Sequence, residues 1–235
     1  MNNLIGVIAA LVMLFGANNS LAQEAPIPFI SINIVEEGAE EAFETYLEDL
    51  TPIISTHNSG FAAMDVSVDI AGQLQGNMVV SIGQFGSQSD AAAFNQDPDF
   101  LTIFPDLEDA LQEHLVFFPD GPIPTSEQLS REGSYLLTFV WSDTSNEDLH
   151  AYNEMVNGEL ETVLARHGGT LISTWQALAA NQGLGDGMEP IDPPQLMELW
   201  HFDDLRGFFT DPDSQDAPQP EFAITKRFFL QITAR

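Results

Sequence analysis

The sequence contains no cysteine, and only six basic residues stand against 36 acidic ones. The absence of cysteine excludes a disulfide scaffold, a thiol nucleophile and a cysteine-ligated zinc or iron–sulfur centre. The shortage of Lys and Arg excludes nucleic-acid binding through phosphate contacts, because that mode needs clustered positive charge. No Lys or Arg precedes Arg131. The net charge of −30 is typical of a soluble protein adapted to salt, and the alternative is a site for cations or a basic partner.

Several sequence motifs of catalysis are also missing. The chain has no Gly-x-Ser-x-Gly, no Walker loop and no dinucleotide-binding fingerprint. Glycines 183, 185 and 187 lie between two predicted antiparallel strands, with no helix start after them, so we interpret them as a hairpin loop. The five histidines show no metal-ligand spacing, and His114 and His150 look like surface or helix-end residues. The sequence predicts no cofactor and no metal.

Residues 1–22 have the pattern of a cleaved signal peptide. An apolar run of 14 residues, too short to cross a membrane comfortably, is followed by Ser20 and Ala22 at the positions of a signal-peptidase site. The Met-Asn-Asn start lacks the usual basic residue, which leaves an uncleaved anchor as the alternative. The pattern predicts a periplasmic or secreted protein that has no membrane segment after cleavage.

The rest of the chain reads as two copies of one unit. Leu50, Ile53, Ile54 and His57 match residues 160, 163, 164 and 167, and the Phe-x-x-Asp-Pro-Asp segment at 94–99 returns at 208–213. A strand that ends in phenylalanine lies between the two matches in each copy. Two matches in the same order indicate a duplication.

Hydrophobic periodicity predicts the order strand, helix, strand, strand, helix, strand in each copy. The first copy spans residues 27–118, residues 119–133 form a Pro- and Gly-rich linker, and the second copy spans 134–235. In the first copy, helices are predicted at 39–55, 89–93 and 105–113, and the last strand at Leu115–Phe118. In the second, one long helix is predicted at 146–166 and a strand at 170–178. This is the order of a ferredoxin-like βαββαβ unit in the α+β class.

The sequence resembles the dimeric α/β-barrel superfamily. The resemblance rests on the His167-Gly168-Gly169 step from helix to strand, the strands ending in Phe85 and Phe202, and the Phe-x-x-Asp-Pro-Asp segment. It implies two ferredoxin-like repeats packed sheet to sheet as an intramolecular barrel. The superfamily includes antibiotic-biosynthesis monooxygenases and EthD-like proteins, and it shares no common set of catalytic residues.

Two facing sheets would enclose a cleft, which is where we expect a ligand. The predicted ligand-binding residues are Trp141, Trp175 and Trp200 on one wall and Asn33 and Asp65, with the small polar residues 31, 67 and 81, on the other. The alternative is that the tryptophans only fill the core.

Glu198 shares a strand face with Trp200, where burial would raise its pKa and make it a candidate general base. His201 is the second catalytic candidate. It is out of phase with Trp200 and Glu198 on the strand, so it faces either the helix layer or, if the assigned phase is reversed, the cleft. The long loop at 181–195 is expected to cover one end of the cleft.

The composition and the resemblance support three functional hypotheses. The first is an exported acidic barrel protein that binds a small hydrophobic or aromatic molecule in the inter-sheet cleft. The second is a cofactor-independent monooxygenase-like oxidoreductase, and the third is a structural or partner-binding module with a closed core. The expected partner is a small molecule and not a nucleic acid, and the chain is expected to be a monomer or to form a further homodimer.

Overall fold

The structure is a computed structural model, and it describes residues 25–69, 77–124, 129, 134–184, 188–215 and 220–234. The predicted export signal lies outside these residues, as do residues 125–128 and 130–133 of the predicted linker. None of the helices in the described ranges has the length and hydropathy needed to cross a membrane.

The described residues form ten strands and seven helices. The first unit contains β1 (Ile27–Val35), α1 (Glu40–Thr56), β2 (Ser59–Asp69), β3 (Asn77–Phe85), α2 (Gln88–Phe94), α3 (Pro98–Ala110) and β4 (Leu111–Pro119). The second unit contains β5 (Ser134–Ser142), α4 (Asn146–Glu159), α5 (Glu161–Arg166), β6 (Thr170–Trp175), β7 (Ala177–Gln182), β8 (Glu189–Ile191), β9 (Leu196–Phe202), α6 (Leu205–Thr210), α7 (Pro212–Gln215) and β10 (Ile224–Ala234).

The two units have the same strand order. The first sheet runs β2-β3-β1-β4 and the second β6-β9-β5-β10, all antiparallel, which is the order of a ferredoxin-like unit. The sheets also pair at their edges, β10 with β2 and β4 with β7. The predicted α+β fold of two ferredoxin-like units is confirmed. Among the described residues the strands do not close into a ring, because β6 and β8 lie at the two ends of the strand order and do not pair with each other.

The inner faces of the two sheets bury one shared core. The side chains come from both units and are almost fully buried: Ile30, Ile32, Val80, Ile82, Leu115, Phe117, Tyr135, Leu137, Phe139, Trp141, Trp175, Met197, Leu199, Leu230 and Ile232. Phe117 and Phe139 meet across the two units with their ring centroids 4.7 Å apart. Burial of this apolar surface is therefore what holds the two units together.

Helix α3 corrects the prediction that a helix begins near Pro105. The helix begins at Pro98 and continues through Pro105, because the Asp97 side chain accepts hydrogen bonds from the N–H groups of Asp99 (2.8 Å) and Phe100 (3.4 Å). Phe100 and Phe104 are buried on the sheet, which offsets the hydrogen bond lost at Pro105.

The second unit has a thinner helical layer than the first. The long helix predicted at 146–166 is two helices that meet at Leu160, and the strand predicted at 170–178 is interrupted at Gln176. In the part of the second unit that the structure describes, the segment that corresponds to the 13-residue α3 contains the four-residue α7. Among these described residues no second long helix covers the sheet of the second unit as α3 covers that of the first.

Candidate functional site

The inner faces of the two sheets meet in one buried apolar core, and the described polar side chains predicted to line an inter-sheet cleft lie elsewhere. Ile30 and Ile32 point into the shared core, while Ser31, Asn33 and Ser81 lie on the opposite face, toward the helices. Both faces of these strands are buried, and alternation alone does not tell which face meets a sheet and which meets a helix. The large aliphatic side chains occupy the sheet-to-sheet contact.

The residues that were predicted to line one cleft therefore lie in different parts of the structure. Trp141 and Trp175 lie in the shared core, where their Nε1 groups donate to backbone carbonyls of Asp192 (2.8 Å) and Pro122 (3.0 Å). Trp200 and Glu198 lie on the helix side of the second unit. The side chain of Asp65 is outside the described part of the structure.

His201 lies on the inner face of β9, with its ring 5.3 Å from that of Tyr135. Its strand neighbours Glu198 and Trp200 face the other way, so His201 and Glu198 do not form one catalytic pair.

The first unit instead contains a cavity of about 160 Å³ between its sheet and its helices α1 and α3. Its walls are largely aromatic and aliphatic. The phenylalanines that line it are Phe29, Phe43, Phe61, Phe85, Phe94, Phe100, Phe104 and Phe118. No Asp, Glu, Lys or Arg is among the described residues that line it.

A small polar group lies on the sheet side of this cavity. Ser31 faces Ser81 across β1 and β3, and Asn33 faces His114 across β1 and β4. The Asn33 side-chain amide donates to the carbonyl of Val79 (3.1 Å) and to Ser31 Oγ (3.4 Å). These four side chains give one end of an otherwise apolar cavity hydrogen-bonding capacity.

Of these four side chains, His114 is the one with a buried polar atom that lacks a hydrogen-bond partner in the described structure. Its Nδ1 is buried and has no hydrogen-bond partner among the described residues. Burial lowers the pKa of His114 to about 4, although a hydrogen bond with the backbone of Gly183 acts in the opposite direction. The ring is therefore neutral at physiological pH.

His114 was missed at the level of sequence because the last strand was predicted to begin at residue 115. The strand begins at Leu111, and its alternation places His114, Val116 and Phe118 on the cavity side. A prediction that began this strand at Leu111 would have placed His114 within the strand, on the same face as Val116 and Phe118.

Helix α1 forms the opposite wall with Phe43, Tyr46, Leu47, Leu50 and Ile54. Burial raises the pKa of the Tyr46 phenol well above its ordinary value. Leu184 and Met188 of the long loop also line the cavity. The loop was predicted to cover the inter-sheet cleft, and these two residues reach the cavity of the first unit instead.

The corresponding place in the second unit is occupied by Glu198. The register of the equivalent strands aligns Ser81 with Glu198 and Ser31 with Thr138. Glu198 accepts hydrogen bonds from Asn153 Nδ2 (2.7 Å) and Trp200 Nε1 (3.3 Å). Burial raises the pKa of Glu198, and these hydrogen bonds partly oppose the rise. Thr138 Oγ1 is buried without a partner among the described residues.

The two sequence motifs that revealed the duplication contact each other in both units. His57 Nε2 lies 2.8 Å from Asp97, and His167 Nε2 lies 3.0 Å from Asp211. Hydrogen bonds with these histidines, and with backbone N–H groups, hold the pKa values of both aspartates below the usual range. Arg166 also pairs with Asp211. These His–Asp contacts join the end of α1 to the start of α3 and the end of α5 to the start of α7, and therefore have a structural role.

Similarity to known proteins is confined to structure. No protein-family profile and no curated protein sequence matches the chain. A candidate monooxygenase from Lactobacillus acidophilus NCFM superposes with a TM-score of 0.50 at 13% identity, covering 90% of this chain and 94% of that one. A candidate chlorite dismutase superposes with a TM-score of 0.50 at 9% identity, covering 89% and 95%.

This chain has the dimeric α/β-barrel fold. Both structural neighbours align over nearly their whole length, so both units of the duplicated architecture are shared. Among the described residues of the barrel there is no group of three or more His, Asp or Glu that could hold a metal ion. At 13% and 9% identity these two neighbours share the fold with this chain, and the chemistry of the site depends on this chain's own side chains.

Proposed function

We propose that the protein binds one small, largely apolar molecule in the cavity between the sheet and the helices of its first unit. The observation that carries this proposal is a cavity of about 160 Å³ with largely apolar walls and, at its polar side, the Nδ1 of His114, which has no hydrogen-bond partner among the described residues. A cavity of roughly 150 Å³ in another protein is large enough to hold benzene. The volume therefore fits a molecule with a single ring.

The cavity is partly open to solvent, so a ligand can reach it. A ligand that fills the space gains close contacts with the phenylalanines and removes their apolar surface from water.

Calorimetric titration with benzene and toluene tests the proposal, with the melting temperature as a second measurement. Ser81→Leu directs a larger side chain into the cavity and is expected to abolish binding. Thr138→Val, at the position that corresponds to Ser31 in the second unit, is the control and is expected to leave binding unchanged. Equal binding by the wild type and Ser81→Leu, or no binding by the wild type, would overturn the proposal.

A second candidate is oxidation of a bound phenol by molecular oxygen, without a cofactor. A structural neighbour described as a candidate monooxygenase and the buried imidazole in the cavity support it. However, moving a proton from a phenol of pKa about 10 to an imidazole of pKa about 4 costs about 8 kcal/mol. We therefore rank binding first. Oxygen uptake that depends on both phenol and His114 would reverse the ranking.

We also propose that the mature protein acts outside the cytoplasm, on the basis of the signal pattern in residues 1–22. Mass spectrometry of the protein from an exporting host is expected to show an N-terminus at Gln23. Retention of the first 22 residues in the mature product would contradict this.

A further inference from the structure

We infer that the ligand of the first unit is a neutral monocyclic molecule of the phenol class, whose single hydrogen-bond donor binds His114 Nδ1. The inference rests on the proposed function and specifies the chemistry of the same cavity. Three independent properties of the cavity lead to it: its size, the character of its polar group, and the absence of charge in its walls.

Size and wall chemistry define the apolar part of the ligand. A volume of about 160 Å³ accepts one six-membered ring. Eight phenylalanines are among the side chains around it, and Phe94 and Phe100 lie with their ring centroids 4.2 Å apart. Aromatic rings in such surroundings pack favourably against the edge or face of another ring.

The polar group, the imidazole of His114, offers a hydrogen-bond acceptor that has no donor among the described residues. The imidazole is neutral and bonds to the Gly183 backbone, while its buried Nδ1 has no partner in the described residues. Since Nδ1 is free, the other ring nitrogen makes the Gly183 bond and carries the proton, so Nδ1 presents a lone pair. A buried acceptor without a donor is unfavourable, and a ligand hydroxyl supplies that donor.

The neighbouring polar side chains do not replace this donor. The amide hydrogens of Asn33 are directed to Val79 and Ser31. No hydrogen bond joins Ser31, Ser81 or Asn33 to His114 in the described structure. The ligand hydroxyl is therefore expected to be the donor that reaches Nδ1.

The walls also exclude a charged ligand. The chain carries 36 acidic residues, yet none of those that the structure describes lines the cavity, and neither does any described Lys or Arg. A bound carboxylate would be buried without a cation, and a bound ammonium without an anion, and both are strongly unfavourable. The net charge of −30 adds a long-range repulsion of anions at low salt.

Calorimetric titration of the wild-type mature chain with phenol, toluene and benzoate tests the inference at neutral pH. Phenol and toluene have nearly the same shape, and only phenol donates a hydrogen bond. We expect phenol to bind roughly tenfold more tightly than toluene, and benzoate to show no binding. Equal affinity for phenol and toluene, or tighter binding of benzoate, would overturn this inference while leaving the proposed function intact. No binding of any of the three would overturn both.

Substitution of the histidine localises the effect. His114→Phe is expected to keep the affinity for toluene and to lose the preference for phenol. His150→Phe, on α4 of the second unit, is the control and is expected to retain that preference. A phenol preference that survives His114→Phe would contradict the role assigned to Nδ1, and the wild-type comparison stands even where a variant does not fold.

Discussion

The two units of this protein share their architecture and differ in what lies between sheet and helices. In the first unit, α1 presents Phe43 and Leu47 to a sheet that carries Ser31 and Ser81, and a cavity remains. In the second, the corresponding helix positions are Asn153 and Asn157, and the sheet carries Glu198. One copy therefore keeps an apolar cavity, and the other buries a polar cluster at the equivalent place.

The two units also differ in which strand carries the large aromatic ring that packs at one equivalent place on the sheet. Gly83 leaves room for the ring of Phe29 from the neighbouring strand, since a side chain at Gly83 would collide with that ring. In the second unit the glycine position carries Trp200 and the phenylalanine position carries Leu136. One large ring is therefore kept in each unit, although it is attached to a different strand.

The largest effect is expected from matched truncations on the equivalent helices α1 and α4. Phe43→Ala removes a fully buried ring and is expected to lower the free energy of unfolding by about 3–5 kcal/mol. Asn153→Ala removes one donor from the Glu198 carboxylate and is expected to cost about 2 kcal/mol. Urea denaturation measures both, and a larger loss for Asn153→Ala would reverse the assignment of apolar and polar units.

The His–Asp contacts provide the second comparison. Asp97→Asn and Asp211→Asn are each expected to lower the melting temperature at pH 7, the latter more because Arg166 also loses one of its two aspartate partners. The aspartate pKa values are lowered in the folded state, so this stabilisation is present above about pH 4. It is lost as the pH falls through the lowered values. Wild type and variants should converge in acid. A constant difference at every pH would contradict the ionic role.

Glu198 gives a pH dependence of the opposite sign. Its pKa is raised in the folded state, so the fold favours the protonated form, and stability decreases as the pH rises above the ordinary carboxyl range. Glu198→Gln is expected to remove this component from the pH profile of the melting temperature. Ser81→Ala, at the equivalent position of the first unit, is expected to leave the profile unchanged. Parallel profiles for the wild type and Glu198→Gln would refute the assignment.

The smallest effect is expected at the two equivalent hydroxyl groups. Thr138 Oγ1 is buried and has no partner among the described residues, so Thr138→Val is expected to stabilise the protein by about 1 kcal/mol. Ser31 Oγ accepts a weak bond from Asn33, so Ser31→Ala is expected to be nearly neutral. Chemical denaturation at high precision distinguishes the two. A loss of stability in Thr138→Val would show that its hydroxyl has a partner.

The fold was predictable because duplicated motifs and periodicity are local properties that the structure preserves. The repeated histidines and the Phe-x-x-Asp-Pro-Asp segments meet in both units, and residue 58 and Gly168 both adopt a left-handed backbone after the helix. Asparagine tolerates that conformation and glycine adopts it freely. The first unit has His57-Asn58-Ser59 where the second has His167-Gly168-Gly169. The left-handed backbone at the second position is nevertheless the same in both units.

The site was not predictable, because it depends on which buried face of each strand meets a helix. Ser31 and Ile32 alternate in either orientation, and only packing shows that the isoleucine faces the other sheet. His114 lies in a strand that began four residues earlier than predicted. Leu184 and Met188 reach the cavity from the second unit, a contact that no local pattern encodes.

The most direct test of the account is an amide chemical-shift titration of the labelled protein with phenol. We expect the largest shifts at residues of the first unit around the cavity, near Ser31, Ser81 and His114, with the amides around Glu198 and Trp200 unaffected. Shifts concentrated at Glu198 and Trp200, or spread evenly over both units, would contradict the assignment of ligand binding to the first unit.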